Sequence, residues 1–184
     1  MQTLQTIFFG RQCNLLNNFI GAEFLLFISR FARLGYLTAI MAILADQFTK
    51  WWILEKVMQP PRVITFNEYF NIVLTWNNGI SFGFFNNENK INALVISLIA
   101  TAIIIFLIRL LSKIETKEPA IGLGFIVGGA IGNVIDRSIH GAVMDFLDVH
   151  INVYHWPAFN IADSCITVGA IILVIDSLFS RRQN

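Results

Sequence analysis

Charge is the scarcest commodity in this chain of 184 residues. Thirteen Lys and Arg and 12 Asp and Glu make up 14% of it, where a soluble domain carries about 25%. With 55% hydrophobic residues and 17 Phe, the polar complement is too small to coat a water-soluble core. The same apolar content excludes disorder. A net charge of +1 provides no basic field, so no nucleic-acid partner is expected. The two cysteines, Cys13 and Cys165, form no C-x-x-C and no Cys/His cluster, which gives a zinc site no support and makes a disulfide framework unexpected. Cys165 lies in an apolar run and reads as a small core hydrophobe. His140, His150 and His155 lack regular ligand spacing and read as surface or interfacial groups, so no metal is expected. H-E-x-x-H, G-x-S-x-G and a Walker glycine loop are all missing. The composition that remains is that of an integral membrane protein, mainly α.

Four apolar stretches approach the roughly 20 residues a spanning helix needs. They run over Leu34–Ile53, Ile91–Ile108, Ala120–Ile135 and Phe159–Phe179, and four transmembrane helices are expected there. Eight of the 13 basic residues (Arg11, Arg30, Arg33, Arg109, Lys113, Lys117, Arg181 and Arg182) fall on one side of that arrangement. The positive-inside rule makes that side cytoplasmic, with both termini. Residues 54–90 and 137–158 then face outward.

The outer segments read as strand. Arg62–Trp76 is rich in β-branched and aromatic residues and ends at Asn77-Asn78-Gly79. Val143–Tyr154 alternates, with Val143, Asp145, Leu147, Val149, Ile151 and Val153 on an apolar face and Asp148 on a polar, solvated one. A small β-sheet on the outer membrane surface is expected, with residues 54–62 as a mobile cover. Residues 1–33 are an N-terminal extension without assigned function, open to reading as an interfacial helix or a misassigned start. A signal peptide fits them poorly. The domain proper is 34–184.

Acids at membrane depth are costly and usually functional. Asp46, Asp136 and Asp163 all lie toward the outward end of an expected span, and Asp145 joins them as the only carboxylate on its apolar strand face. Each of the three helical acids has a structural alternative. Asp46 and Lys50 are spaced for an i,i+4 ion pair near the interface. Asp136 continues the small-residue stripe Gly124, Gly128, Gly132 into a helix–helix seam and could pair with Arg137. Asp163 could cap a helix N-terminus. Asp145 serves no obvious packing purpose, and an apolar setting raises a carboxyl pKa.

Five short blocks then occur in order: Asp46-Gln47-Phe48-Thr49-Lys50, Asn77-Asn78-Gly79-Ile80-Ser81-Phe82, Gly129-Ala130-Ile131-Gly132-Asn133-Val134-Ile135-Asp136-Arg137, Val143-Met144-Asp145-Phe146 and Ala158-Phe159-Asn160-Ile161-Ala162-Asp163-Ser164. They resemble the D-Q-x-x-K, N-x-G-x-[AS]-F, G-x-x-G-N-x-x-D-R, V-x-D-F and F-N-x-A-D-S elements of lipoprotein signal peptidases (type II signal peptidases). Ile80 departs mildly from the Ala often found there. The resemblance covers residues 34–180 and omits 1–33.

That resemblance implies an aspartyl endopeptidase of the bacterial inner membrane, with its active site toward the outer face. It would remove the signal peptide from prolipoproteins whose lipobox Cys carries diacylglycerol, without cofactor or metal, as a monomer in membrane lipid. Carried over by motif, Asp145 and Asp163 would be catalytic. Asp46, Lys50, Asn77, Gly79, Asn133, Asp136, Arg137, Phe159, Asn160 and Ala162 would bind substrate or support the site, with Asn133 and Arg137 donating to substrate carbonyls. Two rivals fit less well, since the chain shows no internal repeat, its acids cluster toward one face, and both Asp145 and Asp163 are present. A proton-coupled transporter would show an internal repeat and midplane acids, and a non-catalytic assembly factor would have lost one of the two Asp.

Overall fold

A computed structural model of the chain describes residues 29–79 and 90–180. Most of the N-terminal extension, Cys13, the Ile80-Ser81-Phe82 part of the second block, and Arg181 and Arg182 lie outside the described residues. Helix α1 (Arg30–Trp52) begins at Ser29, whose Oγ accepts the Ala32 N–H at 3.0 Å, satisfying one of the donors a helix start leaves unpaired. It continues into a π-helical turn, Ile53–Val57. Strands β1 (Ile64–Asn67) and β2 (Phe70–Asn77) follow, then helices α2 (Lys90–Leu111) and α3 (Lys117–His140). Strands β3 (Val143–Ile151) and β4 (Tyr154–His155) lead into helix α4 (Ile161–Ser180).

Among the described residues, three helical stretches are long and apolar enough to cross a membrane: Ala93–Leu111, Lys117–His140 and Ile161–Phe179. Helix α1 is 23 residues long but holds Arg30, Arg33, Asp46 and Lys50, and it is not among them. The expected boundaries move by a few residues, α1 starting at Arg30 within the expected extension, and two of the shifts shape the site. Helix α3 runs past Asp136 to His140 and stops at Gly141, whose left-handed backbone (φ 77°) lets its N–H bond to the Arg137 carbonyl at 3.0 Å. Asp136 and Arg137 are therefore helical. Helix α4 starts two residues later than Phe159, because Phe159 instead makes a β-bridge to Leu147.

Helix α3 is the centre of the bundle, and its glycines let it be. A Cβ at Gly124 would strike the Gly35 carbonyl of α1, one at Gly128 would lie 2.5 Å from the Ala39 carbonyl, and one at Gly132 would lie 2.6 Å from Asp46 Oδ2. Around the helix, Gly122 and Gly129 meet Gly169 and Ala162 of α4 in the same way. The small-residue stripe is thus a packing seam, with backbones close enough to replace side-chain contact. Gly128→Ala is expected to lower stability by about 1–3 kcal/mol through overpacking, read as earlier thermal unfolding in detergent.

The four strands form one antiparallel sheet in the order β1-β2-β3-β4. The expected single strand over Arg62–Trp76 is two, broken at Glu68-Tyr69, where Asn67 Oδ1 accepts the Tyr69 N–H at 2.9 Å and closes an Asx turn. The expected alternation through Tyr154 likewise breaks at Asn152, which takes a left-handed conformation (φ 54°). The supposed polar face of β3 is not solvated. Met144 and Phe146 pack with Ile53 and Met58 in a buried cluster, which fixes Met58 within the stretch 54–62, and Asp148 is only 7% exposed. The π-helical turn supplies that cover, which strand alternation could not reveal.

Register in the sheet has one feature that shapes the site. Asn71 pairs with Asp148 and Ile72 with Leu147, but a bulge before Thr75 shifts the pairing to Thr75–Asp145 and Asn77–Val143. An extra residue in one strand reverses its side-chain alternation relative to its neighbour. Asn71 and Asn77, six residues apart, consequently serve opposite faces. Asn77 donates to Asp145, and Asn71 donates to Asp148.

Candidate active site

One polar network, enclosed by α1, α3, α4 and β3, joins the four acids. At its base, Lys50 Nζ lies 2.8 Å from Asp46 Oδ2 and 2.8 Å from Asp136 Oδ2. All three side chains are buried, so the i,i+4 pair is made in the interior rather than at an interface. Asp136 pairs with Lys50 and not with its neighbour Arg137, because adjacent helical residues point about 100° apart. Further donors complete both carboxylates. Asp46 Oδ1 accepts the Ala162 N–H at 2.9 Å, and Asp136 Oδ2 accepts the Met144 N–H at 3.1 Å. Gln47 Nε2 reaches Asp46, Asp136 and the Gly132 carbonyl at 3.0–3.3 Å. Sequence reasoning missed the part played by Gln47, although it stands inside the first block as a polar residue in an apolar helix.

Two asparagines carry the network upward. Asn133 Oδ1 accepts from Lys50 Nζ at 3.4 Å and from Asn160 Nδ2 at 3.3 Å, while its own Nδ2 donates to Asp163 Oδ1 at 2.8 Å. Its amide orientation follows from the ammonium on one side and the carboxylate on the other. Asn160, fully buried, precedes α4 and exchanges hydrogen bonds with Asp163. Its N–H donates to Asp163 Oδ2 at 3.2 Å, and the Asp163 N–H donates to Asn160 Oδ1 at 3.0 Å. This reciprocal arrangement is a capping box, so Asp163 does cap its helix. The same Asn160 donates through Nδ2 to Asp145 Oδ1 at 2.7 Å. One residue therefore holds both carboxyls.

Asp145, 2% exposed, also accepts from Asn77 Nδ2 at 3.1 Å. Asn77 Oδ1 in turn accepts the Gly79 N–H at 3.1 Å, in a turn where Gly79 has φ 143° and any side chain would be strained. Burial pushes the Asp145 carboxyl up to about 6, and the charge of Asp163 adds to the rise against the opposing hydrogen bonds from Asn77 and Asn160. Arg137 Nε is buried without a hydrogen-bond partner among the described residues, although its guanidinium feels Asp163, Asp145 and Asp136. Phe159 contributes backbone, its carbonyl accepting the N–H groups of Phe146 and Leu147, and Ala162 is fully buried beneath it.

The arrangement ties two carboxyls of unequal burial to one asparagine, with the buried Nε of Arg137 in the same network of charge. Such a pair can hold one proton between them and move it. A family model described as signal peptidase II matches residues 38–179. A lipoprotein signal peptidase from Rhodopseudomonas palustris strain TIE-1 is 41% identical over 151 residues, covering 79% of this chain and 92% of that protein. One from Francisella tularensis subsp. novicida is 38% identical over 153 residues, covering 81% and 94%. A solved bacterial membrane enzyme shares the fold with a TM-score of 0.69 at 29% identity, covering 85% of this chain and 94% of that one.

Proposed function

The chain belongs to the signal peptidase II family, and from that premise we propose that it is a membrane aspartyl endopeptidase acting on diacylglyceryl-modified prolipoproteins. It cleaves the signal peptide on the N-terminal side of the lipidated Cys. The observation that carries the mechanism is Asn160 joined to both Asp145 and Asp163, with Asp145 raised to about 6. Asp163, ionised, takes a proton from water, which attacks the scissile carbonyl carbon. Asp145, holding the shared proton, hydrogen-bonds to the carbonyl oxygen and then delivers the proton toward the departing amine. Two carboxyls and one water supply every proton the step moves.

Arg137, with its unpartnered Nε, donates to a substrate carbonyl. Asn133 serves differently from the sequence expectation, since its amide is committed to Lys50, Asn160 and Asp163. It positions the dyad, as do Asn77 and Gly79 from the sheet side. Asp46, Lys50 and Asp136 hold α1, α3 and the start of α4 together beneath the dyad, where Ala162 and Phe159 fix the N-terminal end of α4.

All four helices cross the bacterial inner membrane in this reading, α1 included. Its charges at Asp46 and Lys50 are internal, and it turns Leu37, Ile40, Met41, Leu44 and Phe48 outward. A soluble protein does not display such a face, and α2 and α4 present similar ones. The basic residues orient both termini to the cytoplasm, which sets the sheet and dyad toward the outer surface. Residues 34–184 act as one domain, a monomer whose helix surfaces leave the diacylglyceryl chains in lipid.

Cleavage of a purified diacylglyceryl prolipoprotein tests this. The lipidated form is expected to be cut before its Cys and the unlipidated form to persist; equal cleavage of both would remove lipid from the recognition. The pH dependence follows from Asp145. Above about pH 6 the free enzyme loses the shared proton, so kcat/KM is expected to fall there. Bound substrate excludes more water and raises the carboxyl further, so the fall in kcat lies at higher pH. Profiles flat between about pH 5 and 8 would deny Asp145 the role of acid.

A further inference from the structure

On the sheet, away from the dyad, Asp148, His150 and His155 bring one ligand atom each to within 4.8 Å of one another. The register produces the cluster. Asp148 and His150 share a face of β3, and His155 of β4 is the cross-strand partner of His150, with the rings stacked 4.7 Å apart. His155 Nδ1 lies 2.9 Å from Asp148 Oδ1, and His150 Nδ1 lies 4.0 Å from Asp148 Oδ2. A tetrahedral ion with bonds of about 2.0–2.2 Å needs its ligands roughly 3.3–3.6 Å apart. The two observed spacings bracket that range; because the rings stand nearly parallel at 13°, one imidazole has to turn about its Cβ–Cγ bond before both lone pairs meet at one ion.

A second observation points inward as well. Asn71 is 7% exposed, its Nδ2 lies 2.8 Å from Asp148 Oδ2 and 3.3 Å from His150 Nδ1, and its Oδ1 is buried with no partner. A half-turn of the amide brings that oxygen to the same cluster, giving up the Nδ2 hydrogen bond to Asp148, which a bound cation would replace. The backbone is already fixed: the His150 N–H donates to the Tyr69 carbonyl at 2.9 Å, and the Trp156 N–H to the Val149 carbonyl at 2.8 Å. His155 is half exposed at its side chain, leaving an approach from solvent.

We propose that Asp148, His150 and His155, with Asn71 Oδ1 or a water as fourth ligand, form a site for a divalent transition-metal ion of the zinc class. Two imidazoles with a carboxylate favour such an ion over magnesium or calcium, which prefer all-oxygen shells. The ion would staple β4 to β3 and β2, steadying the strand that carries Asp145 three residues earlier. It takes no part in the cleavage step.

The test uses the full chain in detergent, without a polyhistidine tag, stripped with chelator and titrated with Zn²⁺ by calorimetry. One ion per chain is expected, together with a rise in thermal unfolding temperature. His150→Ala and His155→Ala are each expected to weaken binding by more than the roughly 10–100-fold that losing an outer-shell partner costs. His140→Ala, which removes a histidine packed against Trp76 instead, is expected to bind as wild type does. Co²⁺ in place of Zn²⁺ should give visible absorption that His150→Ala abolishes. No stoichiometric binding, or binding unchanged in both cluster variants, would reduce the cluster to a hydrogen-bonded pair of histidines. Either result leaves the peptidase reading untouched, since that rests on Asp145 and Asp163.

Discussion

Asp145→Asn and Asp163→Asn are each expected to lower turnover of the lipidated substrate by about 10²–10⁴-fold, the range that general acid or base catalysis supplies. The proteins are expected to remain folded. Asparagine keeps the volume and one acceptor oxygen, but it cannot exchange a proton. The structural cost differs from zero for a specific reason. Asp163 accepts from Asn133 Nδ2 and from the Asn160 N–H, and an Asn there can accept at only one oxygen. The other donor then faces an NH₂, at a cost of about 1–3 kcal/mol. Asp145 meets the same difficulty between Asn77 and Asn160. Activity should therefore collapse while the unfolding temperature drops only modestly, and the double variant should lose little more activity than either single one. Single-turnover cleavage and thermal unfolding on the same preparations separate these effects. Near-normal turnover in either variant would remove that residue from the dyad and make Asp46 and Asp136 the next pair to replace.

Much of this architecture was legible in the chain because membrane depth punishes unexplained charge. Asp46, Asp136 and Asp163 stood out inside apolar runs, and the structure joins all three to Asp145 in one network. The packing role of Gly124, Gly128 and Gly132 was equally plain from spacing. What alternation could not disclose was the partner of each face. The even-numbered side of β3 looked polar, yet Ile53 and Met58 cover Met144 and Phe146. The bulge before Thr75 had no marker, since neither Val73 nor Leu74 is a bulge residue by composition, and the opposite faces served by Asn71 and Asn77 follow from it. The turn at Glu68-Tyr69 carried only Asn67 as a sign. Asp148, His150 and His155 escaped as a cluster for the same reason: their proximity depends on a turn at Asn152 that the strand pattern ran straight through.

Lys50→Met is expected to be the most destabilising single change in the bundle, by about 3–5 kcal/mol, the usual loss when one member of a buried ion group is removed. A surface pair would be worth about 0–1 kcal/mol. The difference arises because a single ammonium touches both Asp46 and Asp136 at 2.8 Å, with its side chain 6% exposed. Without it, two carboxylates from α1 and α3 face each other across the seam where Gly132 meets Asp46. The effect should reach the dyad. Asp46 Oδ1 holds the Ala162 N–H, one residue before Asp163, so a shift of Asp46 moves the start of α4 and lowers activity through position. The combination Asp46→Asn, Lys50→Met and Asp136→Asn discriminates between causes. If unpaired charge is the damage, removing all three charges should recover most of the stability, as neutral replacements of buried ion groups generally do. If the loss instead comes from the shape of the Lys50 side chain, the triple variant will unfold at least as early as Lys50→Met. Thermal unfolding of the single and triple variants in one detergent decides it, and recovered stability without recovered cleavage would show that the bonds from these three residues to Ala162, Met144 and Asn133 position the dyad.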